Sequence, residues 1–173
     1  NRDALYTNST LALNPDTGKL VWHYQHMQRD VWDMDWVYER QIVNLPGRKG
    51  PRRVVMTMGK LGILDILDAK TGKYISSYDA GLQTLVTGID PVTGRKTTDP
   101  ALEPEPNVIK KFCPYATGAR NWAATSYDPR TGTLFMPYIN SCQNYTWAKG
   151  EAFDIRYGVD VPTRNPGMIG GMM

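Results

Sequence analysis

An all-β chain built from β-propeller blades is what this sequence predicts, on three observations: a recurring turn signature, the apolar bursts beside it, and the composition. Ala12-Leu13-Asn14-Pro15-Asp16-Thr17-Gly18-Lys19 returns as Leu67-Asp68-Ala69-Lys70-Thr71-Gly72-Lys73 and as Tyr127-Asp128-Pro129-Arg130-Thr131-Gly132-Thr133. Thr17, Thr71 and Thr131 stand 54 and 60 positions apart. Each has Asp or Asn three residues before it and Gly directly after. This is turn chemistry: the Asx side chain caps the backbone and Gly supplies a positive φ.

The flanks run apolar in short bursts, as in Leu20-Val21-Trp22-His23-Tyr24, Arg53-Val54-Val55-Met56-Thr57-Met58, Gly62-Ile63-Leu64-Asp65-Ile66-Leu67 and Thr133-Leu134-Phe135-Met136-Pro137-Tyr138. Strand, Asx-Gly turn, strand at a period in the fifties reads as hairpins of successive sheets, the pattern of propeller blades. Sixteen Gly, twelve Pro, ten Tyr and five Trp suit strands joined by tight turns. The expectation is about three blades plus long loops, and a propeller must close to remove its sheet edges, so three blades imply further blades of the same protein. A small sandwich is the other all-β reading.

A fourth copy, Ile89-Asp90-Pro91-Val92-Thr93-Gly94-Arg95, breaks the spacing and runs into Thr97-Thr98-Asp99-Pro100 and Glu103-Pro104-Glu105-Pro106. Residues 79–112 are therefore expected to be an inserted loop with a small hairpin inside one propeller domain, 1–173. The tail from Tyr157 to Met173 is rich in Gly, Pro and Met, has no period, and is expected to end in a loop. No amphipathic helix is expected.

Several function classes are excluded. Hydrophobic content of 41% and charged content of 21% are ordinary for a soluble globular protein. The net charge of +3 is small and the basic residues are scattered, so no nucleic-acid partner is expected. No run reaches the about 18 apolar residues of a membrane span. The chain begins at Asn1 rather than Met, read as processing or truncation at that end. Cys113 and Cys142 match no metal-ligand spacing; a disulfide in an oxidising compartment and two buried thiols both fit.

The chemistry is concentrated in Asp30-Val31-Trp32-Asp33-Met34-Asp35-Trp36, three carboxylates and two indoles in seven residues. In an extended segment Asp33 and Asp35 share a face. Two crowded carboxylates need a shared proton or a cation between them, and hard ions collect oxygen ligands. The plain alternative is an acidic surface loop with a tryptophan over its stem. His23 and His26, three apart with no Cys nearby, read as structural.

Extended to Trp22, the first turn copy resembles the tryptophan-docking motif of the quinoprotein alcohol dehydrogenases, Ala-x-Asp-x-x-Thr-Gly-x-x-x-Trp, with Asn14 in place of Asp. The later copies carry Ser76 and Met136 where the Trp would stand. Trp22-His23-Tyr24-Gln25 through Asp30-Val31-Trp32-Asp33 resembles the family's Tyr-Gln segment followed by Asp-x-Trp-Asp. Gln28-Arg29 replaces its usual Pro-His, and Trp36 a usual Gly. Lys60 follows Asp33 by 27 residues, as does a family Lys or Arg that bonds to the quinone oxygens. Gly118-Ala119-Arg120-Asn121-Trp122 resembles a Gly-x-x-Asn segment whose Asn touches the same cofactor. Cys113 and Cys142 match a disulfide of some methanol-oxidising members.

The resemblance implies part of an eight-bladed propeller and an active site with pyrroloquinoline quinone and a Ca2+ or lanthanide(III) ion. It implies Asp33 as general base, Lys60 and Asn121 as cofactor contacts, and Asp33 and Asp35 as metal ligands. It further implies a primary alcohol oxidised to an aldehyde, with electrons passing to a cytochrome c in the periplasm. Asp two positions after the base marks lanthanide-type members, since a trivalent ion favours one more anionic oxygen. The family's adjacent-cysteine disulfide, its Glu and Asn metal ligands and its tryptophan floor have no counterpart in this stretch. The alternatives are a non-catalytic propeller of the same repeats, used as an assembly scaffold, and a relative acting on sugars or polyols.

Overall fold

The computed structural model describes residues 3–47, 50–145, 157–158 and 170–172. Its strands follow the turn signature. β1 (Ser9–Leu13) and β2 (Leu20–Gln25) form a hairpin across the first copy. β3 (Gln41–Leu45), β4 (Arg52–Met58), β5 (Ile63–Asp68) and β6 (Tyr74–Asp79) form a four-stranded antiparallel meander, with the second copy joining β5 to β6. β7 (Val86–Ile89) and β8 (Lys96–Thr98) pair across the fourth copy, and a 3-10 turn, Pro100–Leu102, comes next. β9 (Lys110–Phe112), β10 (Ser126–Asp128), β11 (Thr133–Phe135), β12 (Pro137–Ile139) and β13 (Gln143–Tyr145) are three residues each. β10 pairs with β11 across the third copy. Among the described residues there is no α-helix.

The tail differs from its expected loop. β14 (Tyr157–Gly158) pairs with β13, and β15 (Gly170–Met172) pairs with β12. A tail without hydrophobic period can still add strands, because the ladder is made by backbone groups that every residue but Pro carries. The remaining tail residues lie outside the described ones.

All four turns have one geometry. The amide of Gly18, Gly72, Gly94 or Gly132 donates to the carbonyl of Asn14, Asp68, Asp90 or Asp128 at 2.8–2.9 Å. Each glycine has φ between 67° and 72°. Asn14 Oδ1 accepts from the amides of Asp16 and Thr17 at 2.9 and 3.0 Å, and Asp68 and Asp90 repeat the pattern. Two turns are also docking platforms. Trp22 Nε1 donates to the Ala69 carbonyl at 3.2 Å, and a Cβ on Gly72 would lie 2.5 Å from the Trp22 ring. A Cβ on Gly94 would lie 2.3 Å from the Tyr74 ring. Glycine thus serves the backbone conformation and a ring at once.

The central strands β4 and β5 are mostly buried, whereas the outer strands β3 and β6 are partly exposed. Val54, Met56 and Met58 of β4 join Leu64 and Met136 in one cluster. Ile63 of β5 joins Met27, Trp32, Met34, Trp36, Leu61, Leu85, Phe112 and Tyr145 in another. The second cluster carries the Asp30–Trp36 segment. Cys113 and Cys142 form a disulfide that ties the chain before the 114–125 loop to the start of β13.

Candidate active site

Residues 31 to 38 alternate: Trp32, Met34, Trp36 and Tyr38 are buried, while Val31, Asp33 and Val37 are exposed and Asp35 is half-buried. Asp33 and Asp35 therefore share the open face, although the segment pairs with no strand. Caps replace the ladder. The Asp30 carboxylate accepts from the amides of Trp32 at 3.0 Å and Met34 at 2.8 Å, and from Asn8 Nδ2 at 2.9 Å. Trp32 Nε1 donates to the Leu102 carbonyl at 2.8 Å. Asp33 itself has φ 65°, a left-handed conformation that few side chains take. Such outliers gather at functional sites, where surrounding structure holds them in place.

Lys60 meets both carboxylates. Its ammonium lies 3.1 Å from Asp33 Oδ2 and 2.8 Å from Asp35 Oδ2, and it donates to the Asp33 carbonyl at 2.9 Å. Three protons thus have three acceptors. Its own amide donates to the Asp35 carbonyl at 3.0 Å, which brings the stretch before β5 against the acidic loop. Lys60 is only 7% exposed, so it is no free strand-end lysine, whereas the two carboxylates remain 47% and 40% open.

The electrostatics are asymmetric. Burial pushes the Asp33 carboxyl above its ordinary value, and the Asp35 charge adds to this, while Lys60 offsets only part. Burial opposes the charge on Lys60, but Asp35 and Asp33 outweigh it and raise its pKa. The ammonium is firmly held by the two carboxylates.

The 117–121 loop packs over the Lys60 stem. The Ala119 amide donates to the Lys60 carbonyl at 2.7 Å, and a Cβ on Gly118 would lie 2.6 Å from Lys60 Cγ. Asn121 sits on this loop. Its Nδ2 donates to the Thr117 carbonyl at 2.5 Å, and its Oδ1 is buried with no hydrogen-bond partner among the described residues. A buried acceptor without a donor is unfavourable and suits a site that awaits one. Trp122 is 79% exposed rather than packed between sheets, and its ring meets Tyr38 edge-on at 5.7 Å.

Two supports have weak sequence signals. Arg120, 1% exposed, donates to the Met58 carbonyl at 2.8 Å, pairs with Glu39 and lies 4.7 Å from the Tyr38 ring. Glu39 also accepts from the amide and hydroxyl of Thr125 at 2.7 and 2.5 Å. Nothing in the sequence pairs residues 39 and 120. The role of Asp30 has a local signal, since an Asp before amides two and four positions on is a capping pattern.

Asp33 and Asp35 fit part of a hard-cation site. They already converge on one positive group, and both are carboxylates with open surface. Such cations take about 6–8 oxygens. Among the described residues no third acidic, His or Cys side chain joins them. A cavity of about 950 Å³ lies elsewhere, lined by Thr10, Leu11, Trp22, Ile42, Val55 and Ala69 among others, with none of the four candidate residues in its wall.

Residues 1–79 match the family described as glucose/ethanol/alcohol dehydrogenase, beta-propeller domain, of the pyrroloquinoline quinone group. The chain is 38% identical over 136 residues to the quinohemoprotein alcohol dehydrogenase ADH IIB of Pseudomonas putida, covering 79% of this chain and 20% of that protein. It is 33% identical over 138 residues to the 1-butanol dehydrogenase (cytochrome c) of Thauera butanivorans, covering 80% and 20%. Its fold superposes on a europium-containing methanol dehydrogenase with a TM-score of 0.79 at 25% identity, covering 88% of this chain and 27% of that one. The chain thus spans about a fifth of the length of the curated relatives it matches. Together with the sheet architecture, these likenesses identify the chain as a β-propeller segment of the pyrroloquinoline quinone-dependent alcohol dehydrogenase family.

Proposed function

We propose that the protein containing this chain oxidises a primary alcohol to an aldehyde, with Asp33 as general base. The observation that carries this reading is the convergence of Asp33 and Asp35 on Lys60, under a loop that presents Asn121. When bound, pyrroloquinoline quinone would supply the hydride acceptor, and a Ca2+ or lanthanide ion the Lewis acid.

Asp33 takes the alcohol's hydroxyl proton. A cation beside it would keep it ionised at neutral pH and able to accept a proton, and its 47% open side chain can meet a small molecule. Lys60 keeps a fixed positive charge where negative charge grows, and its three bonds leave it little freedom to reorganise. Asn121 offers its Oδ1 to a polar group. Asp33 and Asp35 would hold the metal, and the second carboxylate favours a trivalent ion. The assignment of a cytochrome c acceptor is supported by the name of the Thauera relative. A periplasmic location is the reading that the disulfide supports.

Elemental analysis of the purified protein, paired with its absorbance, tests the reading. A quinone band with about one Ca2+ or lanthanide per chain, the occupancy expected for a Lewis-acid site, is the expected outcome. Neither metal nor quinone after adding both would leave the scaffold reading standing. Asp33→Asn is expected to abolish turnover. Asp35→Ala should weaken lanthanide-supported turnover, and unchanged turnover would remove Asp35 from the metal site.

A further inference from the structure

Behind the site lies a buried ionic cluster. Lys96 of β8 is 6% exposed, and its ammonium donates to Asp65 Oδ1 at 3.0 Å and Oδ2 at 2.7 Å. Asp65, on β5 and fully buried, also accepts from His26 Nδ1 at 2.7 Å and Ser77 Oγ at 2.6 Å. Since His26 Nδ1 donates, the neutral ring's Nε2 must accept, so Thr10 Oγ1 donates to it at 2.8 Å. Thr10 in turn accepts from Arg40 Nε at 3.0 Å. The order Thr–His–Asp resembles a nucleophilic triad, but the Thr10 hydroxyl is engaged by both His26 and Arg40, and His26 and Asp65 are fully buried.

What the cluster touches is Trp36. The His26 ring is parallel to the indole at 4.9 Å, and Lys96 Nζ lies 4.9 Å from its centroid. Trp36 is bonded to Asp35 and packs on Gly59, where a Cβ would lie 2.3 Å from the indole. Gly59 in turn precedes Lys60. The Trp36 amide donates to Asn8 Oδ1 at 3.1 Å, and its carbonyl accepts from Arg40 Nη2 at 2.7 Å. The indole is therefore wedged between the cluster and the backbone that places the Asp35–Lys60 pair.

We propose that Lys96, brought in by the β7–β8 hairpin, is a positioning residue for the Asp33–Asp35–Lys60 site and acts through the Trp36 indole. A buried ion pair is often replaceable by apolar groups without loss of stability, so stability alone does not explain an ammonium at this place. A cation against an indole, by contrast, orients the ring. The proposal rests on the reading of the site as a metal and cofactor site, and its test separates the two.

Lys96→Met alone would strand the Asp65 charge, so the informative variant is Lys96→Met with Asp65→Asn. It removes both charges, keeps the side-chain volumes close, and retains an amide oxygen that can accept from His26. The holoprotein should keep its melting temperature within a few degrees. Its kcat should fall about 10-fold with KM within about twofold, and the metal-free protein's affinity for Tb3+ should fall about 10-fold, as supporting-residue changes do. Ser77→Ala removes another Asp65 partner that does not touch Trp36, and both values should stay within about twofold. Wild-type kcat and Tb3+ affinity in the double variant would overturn the proposal. If the wild-type protein binds neither Tb3+ nor quinone, the reading of the site fails instead. Positioning is then judged by the 19F resonance of 5-fluorotryptophan at Trp36, assigned with Trp36→Phe. A shifted or broadened line in the double variant supports the proposal, and an unmoved line overturns it.

Discussion

Gly59 shows how one atom decides the site's geometry. Any Cβ there would enter the Trp36 ring at 2.3 Å, and the indole is already held by His26 and Lys96. Gly59→Ala is expected to destabilise the fold by about 1–3 kcal/mol, the range for overpacking a filled core, as measured by urea unfolding. Gly88→Ala is the control, since nothing lies within 4 Å of its Cβ position. It should stay within about 0.5 kcal/mol of wild type. At this scale the sequence is informative about identity and poor about partners. The acidic stretch singles out Asp33 and Asp35, and the resemblance to a known family adds Lys60 and Asn121. That all three Lys60 protons are used by the acidic loop is not legible there, because it depends on where a residue 27 positions away is folded back. Trp122 shows the same limit: its 79% exposure is not legible in the order of residues.

Among the elements, the Asx-Gly turns are the most regular. Asn14→Ala removes an acceptor for two amides, and about 1 kcal/mol of stability should go with it. Asn14→Asp keeps the acceptor and should remain near wild type in the same urea titration. The disulfide closes a separation of 29 residues, so Cys113→Ser with Cys142→Ser should lower stability by about 3–4 kcal/mol in the chain-entropy account. Reducing agent should lower the wild-type urea midpoint and leave the variant's unchanged. The turns are readable because their chemistry is local: Asx, Thr and Gly meet within five residues. The strands of the tail are not, because a strand without apolar alternation is chosen by its ladder partner.

Over the whole molecule, buried ionic groups set the response to pH. Burial lowers the pKa of His26 below 6.5, so the folded state keeps it neutral while the unfolded chain takes up a proton. Stability should therefore fall as pH drops below about 6.5. Burial alone would raise Asp65, but Lys96 and His26 outweigh it and hold its carboxyl below its ordinary 3.8. Burial also opposes the charge on Glu39, but its bonds to Thr125 and Arg120 bring its pKa from 4.5 to about 2. Both contribute stability that is present at neutral pH and lost in acid, for Glu39 as pH falls from 4.5 toward 2. Urea midpoints between pH 7 and 3 should show two losses, one near 6.5 and one below 4.5, and Glu39→Gln should flatten the second.

The sequence by itself determined the all-β propeller architecture, and its resemblance to a known family proposed the residues of the candidate site. Turn chemistry, apolar bursts and short motifs act over a few residues and leave their pattern in the order of side chains. Only the tertiary structure decided which of those residues meet. Lys60 closes the acidic pair, Arg120 anchors the loop that bears Asn121, and Lys96 reaches Asp65 and Trp36 from a separate hairpin. The Arg120–Met58 contact, for one, links positions 62 residues apart. Desolvating such groups costs energy that close pairing must offset, and burial of that kind exists only once the sheets have stacked.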